Sequence, residues 1–74
     1  MKRISKEGLE RLRQSYPVGT RVELLLMDDT QAPPIGTLGT VVGVDDIGTI
    51  HVNWDNGYGL GVAYGADACR RVDG

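Results

Sequence analysis

The sequence predicts a mainly β fold, a small five-stranded barrel fronted by one short N-terminal α-helix. Three observations lead there. Apolar and polar residues alternate in short runs, most cleanly in Ile50-His51-Val52-Asn53-Trp54. Turn chemistry separates the runs, with Asp45-Asp46-Ile47-Gly48 and Asp55-Asn56-Gly57 as the sharpest cases. Glycine is abundant, 11 of 74 residues, as expected where short strands bend and bulge.

The elements follow in order. Residues 1–16 read as an amphipathic helix. Ser5 suits the N-cap and Glu7 complements the helix dipole in the first turn. Ile4, Leu9, Leu12 and Tyr16 form an apolar stripe, Gly8 weakens the helix by about 1 kcal/mol, and Pro17 stops it. Residues 17–74 read as the barrel, in one domain with the helix. Strands are expected at 21–27, 37–44, 49–54, 60–64 and 69–72. The 28–36 segment is a loop, because Pro33-Pro34 cannot sit in a central ladder. Residues 65–68 suit a single helical turn. Five strands with a long first loop fit an SH3-like barrel, and no linker, low-complexity tract or repeat interrupts them.

Composition limits the chemistry. A chain of this size buries only about 60% of its unfolded surface. Phe is absent, so Val, Ile and Leu must pack around Trp54. That core leaves little room for the deep, dry pocket that enzymes usually need, and points to a shallow surface site or one shared between subunits. The net charge is −2 and the pI about 5.1, which is no footprint for general nucleic-acid binding. The charge is uneven. Residues 1–21 carry six basic residues against two acids, while 22–74 carry eight acids against two arginines. A lone cysteine, Cys69, gives no disulfide. No leader-like apolar segment follows the basic start, and no run approaches the roughly 18 apolar residues of a membrane span, so a cytoplasmic protein without a membrane is expected.

The motifs carry a resemblance. Tyr16-Pro17-x-Gly19-Thr20-x-Val22 is followed by Met27-Asp28-Asp29 and Pro33-Pro34-x-Gly36-Thr37. Then comes Val44-Asp45-Asp46-Ile47-Gly48-x-Ile50-His51-Val52-x-Trp54-Asp55-Asn56-Gly57, and finally Leu60 with Tyr64-Gly65-x-Asp67. This pattern resembles a family of small bacterial domains of unknown function, found in chromosomes and often in plasmids, conjugative elements and phages. The resemblance implies a fold and a mobile-element setting, but no activity. The Gly-x-x-Gly-x-Val and Val-x-Trp-Asp-x-Gly segments are also similar to SH3-like modules of the mind-bomb/HERC type and of RNA-polymerase-associated barrels. Such modules mostly bind peptides or nucleic acid.

Each chemistry-bearing residue has an ordinary structural role to set beside a functional one. Trp54 shares a face with Ile50 and Val52, so it is expected in the core. His51 and Asn53 then face outward and, with Asp55, form a polar patch. One His and one Cys do not make a zinc site. The pairs Asp28-Asp29 and Asp45-Asp46 match no calcium loop and serve as turn caps. Neither metal nor cofactor is expected, and no catalytic residue. Tyr58 at a hairpin tip, with Tyr64 and the Pro33-Pro34 loop, is expected to line a groove between the 27–36 loop and that hairpin. Arg3, Lys6, Arg11 and Arg13 give the helix a basic interaction surface. The expected function is a non-enzymatic binding module for a protein partner or a second copy, within a mobile-element accessory protein. Two alternatives stay open: nucleic-acid binding through the basic helix, and counter-defence by binding a host factor or nucleotide signal.

Overall fold

The computed structural model describes residues 3–72. It contains α1 (Lys6–Ser15), β1 (Arg21–Leu26), β2 (Leu38–Val44), β3 (Ile50–Trp54), β4 (Gly59–Val62) and β5 (Ala68–Arg71). All five strands are antiparallel in one sheet of order β4-β3-β2-β1-β5. β1 to β4 form a meander, and β5 returns to the free side of β1. The mainly β fold with one short helix is therefore as the sequence predicts.

Boundaries shift for local reasons. The helix is shorter than 1–16, because the Ser5 hydroxyl caps it by accepting the Gly8 N–H at 3.0 Å. At the other end Tyr16 N–H closes onto Leu12 O at 3.0 Å before Pro17. Residues 1 and 2 lie outside the described residues. β4 starts a residue early because Trp54 N–H already pairs with Tyr58 O at 2.9 Å. It stops at Val62 because Asp67 Oδ2 takes the Ala63 N–H at 3.0 Å. The single helical turn expected at 65–68 is instead a reversal about Ala63 O, which accepts from Ala66 N and Asp67 N.

Alternation places the core. Val22, Leu24, Val41, Ile50, Val52, Trp54 and Val62 are buried together. Each such side chain contributes about 1.5–3 kcal/mol by leaving water. Trp54 is held by a hydrogen bond from its indole Nε1 to Leu60 O at 3.0 Å. Gly39, its partner in the β2–β3 register, makes the room. A Cβ there would stand 2.5 Å from Val52 Cγ1 and 2.7 Å from Trp54 Cε3, so any larger residue displaces the ring. Bulges between Leu24 and Leu26 and between Val41 and Gly43 break the alternation, and Leu26, which strict alternation after Val22 and Leu24 would bury, is exposed.

Among the described residues no ladder joins β4 to β5, so the sheet is not closed by hydrogen bonds. Helix α1 packs against this seam. Leu12 and Tyr16 line a cavity of about 300 Å³ with Val62, Ala63 and Cys69. Arg13 fastens the helix, donating to Val44 O at 3.3 Å and to Asp46 Oδ1 at 2.8 Å. Arg71 Nη1 donates to Ser15 O at 3.4 Å from the β5 side.

Candidate binding cleft

Beside the seam lies a larger concavity, about 590 Å³, where three segments converge. Arg3 and Ile4 come from the approach to α1, Asp46, Ile47 and Thr49 from the β2–β3 hairpin, and Ala63, Tyr64 and Ala66 from the β4–β5 turn. Gly48 is the point of contact between them. Its φ of +86° suits glycine, and a Cβ there would lie 3.2 Å from Tyr64 Cβ and 3.3 Å from Ile4. A side chain at 48 would thus push the three walls apart.

Carboxylates fix each wall. Asp45 Oδ1 accepts the N–H groups of Ile47 (3.1 Å) and Thr49 (2.9 Å), while Oδ2 bonds the His51 ring Nε2 at 2.9 Å. The His51 bond, with those backbone donors, holds the Asp45 carboxyl below its ordinary pKa. Asp46 is tied to Arg13, and Asp67 fixes the turn that carries Tyr64. The hairpin tip so held presents Ile47 at 75% exposure, and Tyr64 opposite it is 45% exposed. Among the described residues no carboxylate stands within ion-pairing distance of Arg3.

The family model for a domain of unknown function, DUF4314, matches residues 5–72. The chain belongs to that family. No curated protein and no solved structure matches it. The DUF4314 match spans the whole sheet and every cleft residue except Arg3 and Ile4.

The structure distributes the sequence-predicted residues of this DUF4314 chain over three places. Tyr58 is 57% exposed at the tip of the β3–β4 hairpin, on the same end of the sheet as the β1–β2 loop. In that loop Pro34 is exposed but Pro33 is buried. Tyr64 lies beyond the opposite end of β4, six residues or roughly 20 Å of extended chain away, and lines the cleft. The structure does not bring Tyr64 together with Tyr58 and the prolines.

The polar patch occupies the outer face of the sheet. His51 is bound to Asp45, and Asp55 accepts both guanidinium nitrogens of Arg21 at 2.9 and 2.6 Å. Arg21 also reaches Thr40 Oγ1 at 2.8 Å, so one side chain joins β1, β2 and the β3–β4 hairpin. Asn53 lies beside them, exposed. Of the basic helix surface, Arg13 is spent on docking, Arg3 borders the cleft, and Lys6 and Arg11 face outward.

Burial pushes the Cys69 thiol up to about 11, so it stays protonated at neutral pH and is a poor nucleophile. It faces the seam, whereas His51 bonds Asp45 on the outer face. Among the described residues no group of three or more His, Cys, Asp or Glu is placed to hold a metal ion. Sequence reasoning missed Ile4 and Ile47 as cleft residues. The available signal was Ile47 itself, a β-branched apolar residue at a turn position that favours Asp, Asn or Gly.

Proposed function

We propose that this chain is a non-catalytic binding module that takes an apolar segment of a protein partner into the cleft between Ile4, Ile47 and Tyr64. The observation that supports this most is Ile47, a large apolar side chain held out into water by a pinned hairpin beside a 590 Å³ concavity. Preformed concave sites of this size with apolar walls and a few polar groups suit ligand side chains, and water-exposed apolar surface beside one favours docking. The protonated Cys69 and the separately engaged His51 supply no nucleophile–base pair. The setting we expect is the cytoplasm. The partner we expect first is a host protein, since the family resemblance is to domains of mobile elements and phages.

Nucleic-acid binding is the weaker reading. Arg13, Arg21 and Arg70 are paired with Asp46, Asp55 and Glu23. Phosphate contacts would fall to a few exposed cations such as Arg3, Lys6 and Arg11.

The test is a selection of peptides from a random displayed library, followed by amide shift mapping on labelled protein. Shifts are expected to concentrate at Ile4, Ile47, Thr49 and Tyr64. The Ile47→Asp variant should lose binding with its unfolding midpoint unchanged. Shifts centred on Pro34 and Tyr58, or equal binding by Ile47→Asp, would overturn the reading.

A further inference from the structure

The two outer strands of the sheet are guarded differently. β5 carries Arg70 and Arg71, and Arg71 reaches over to the end of α1. β4 is Gly59-Leu60-Gly61-Val62, with no charge, no proline and no bulge in its register. Charge, proline and bulges commonly blunt sheet edges, because unpaired N–H and C=O groups template further pairing, and β4 has only its shortness to limit it.

The direction of those groups follows from the hairpin. Trp54 N–H donates to Tyr58 O, which marks a hydrogen-bonded pair. Such pairs recur at every second position, so Leu60 (opposite Val52) and Val62 (opposite Ile50) point their backbone groups at β3. Gly59 and Gly61 point theirs away from it. The next outward residue, Ala63, is already engaged: its N–H goes to Asp67 Oδ2 and its C=O accepts from Ala66 and Asp67. The open edge is thus the N–H and C=O of Gly59 and of Gly61. Gly59 is exposed and Gly61 half-buried.

We propose that β4 pairs antiparallel with β4 of a second copy of this chain, about a two-fold axis through Leu60. In that register Gly59 of each copy faces Gly61 of the other. Both glycine pairs exchange N–H···O=C bonds, which uses every open group and none already bonded. An axis through Gly61 would instead need the Ala63 N–H that Asp67 holds. The occupant is a second copy because the edge is its own complement: Gly-Leu-Gly offers the same groups in the same order when turned by the two-fold, and neither side carries a charge. The exposed Tyr58 of one copy then lies opposite Val62 of the other. The contact is short, so the dimer belongs to the weak class of interfaces.

Sedimentation and amide spectra of the intact chain, from about 20 μM to about 1 mM, test this. The average mass should rise from one chain toward two, with concentration-dependent shifts at Gly59, Leu60 and Gly61. Gly59→Pro removes an outward N–H without touching the β3 ladder. Gly59→Lys adds the usual guard of an edge, where a Cβ meets nothing nearer than Asn53 Oδ1 at 3.6 Å. Both should keep the wild-type unfolding midpoint and sediment as one chain throughout. A wild-type chain that stays single at about 1 mM overturns the proposal, as do variants that assemble like wild type. Pairing that appears only with added peptides from other proteins would also overturn it. The peptide-binding test at Ile47 reads a different surface, so either result can fail alone.

Discussion

The two ends of the sheet use the same turn residues and differ in what they leave unfilled. At the β3–β4 end Trp54 sits over Gly39, and Arg21 bridges Thr40 and Asp55. At the α1 end the helix supplies half-buried Leu12 and Tyr16, leaving a cavity of about 300 Å³ beside the larger cleft. One end is closed by shape, through a side chain that is absent. The other is covered by a docked element fastened by long polar side chains, and the vacant space lies there. Stability should therefore be concentrated at one end and binding at the other.

The strongest test of that contrast is Trp54→Ala. It should cost about 3–5 kcal/mol, a large part of the 5–15 kcal/mol typical of small domains, in denaturant titration followed by circular dichroism. Gly39→Ala should cost about 1–3 kcal/mol by overpacking, although it adds only a methyl group. Leu12→Ala, at the helix end, should cost only about 1 kcal/mol, because the side chain is half-buried and borders existing empty space. If Leu12→Ala matched Trp54→Ala, the contrast between the ends would vanish.

Two smaller effects sharpen the comparison. Arg13→Ala removes an exposed ion pair and should change stability by less than about 1 kcal/mol, while quickening amide exchange in α1 relative to β3. The pH dependence should be small as well. The Asp45 and Asp55 carboxyls are both held below their ordinary values, Asp45 chiefly by His51 and Asp55 chiefly by Arg21. Depressed native pKa values favour folding fully above the unfolded value, near 3.9, and that contribution disappears as pH falls through the lower native values. A urea midpoint measured downward from about pH 5 should fall, with a shallower slope in Asp45→Asn. A midpoint that rises on acidification would contradict both assignments.

Much of the β3 end was legible because its signals are local. The alternation of Ile50, Val52 and Trp54, the Asp55-Asn56-Gly57 turn and the Ser5 cap all act within a few residues. The helix end depends on partners far apart in the chain. Arg13 meets Asp46 across 33 positions, and Tyr64 meets Ile4 over Gly48. No periodicity encodes those meetings. The bulges at Leu25 and Val42 were also illegible, since a single inserted residue leaves the apolar count unchanged while reversing which side the residues beyond it face. Pro33 read as a loop residue, which it is, but its burial depends on how the loop folds back.

The return of β5 to β1 has a consequence for synthesis. Three of the ladders join neighbouring strands, and only β1–β5 spans most of the chain. β1, with its Leu24-Leu25-Leu26 run, leaves the ribosome roughly 40 residues before its last partner, a delay of about 2–8 s at about 5–20 residues per second. Through that interval β1, with its three consecutive leucines, has one side unpaired. A nascent chain stalled before residue 68 is therefore expected to aggregate or to occupy a chaperone, and release of residues 68–71 ends the exposure.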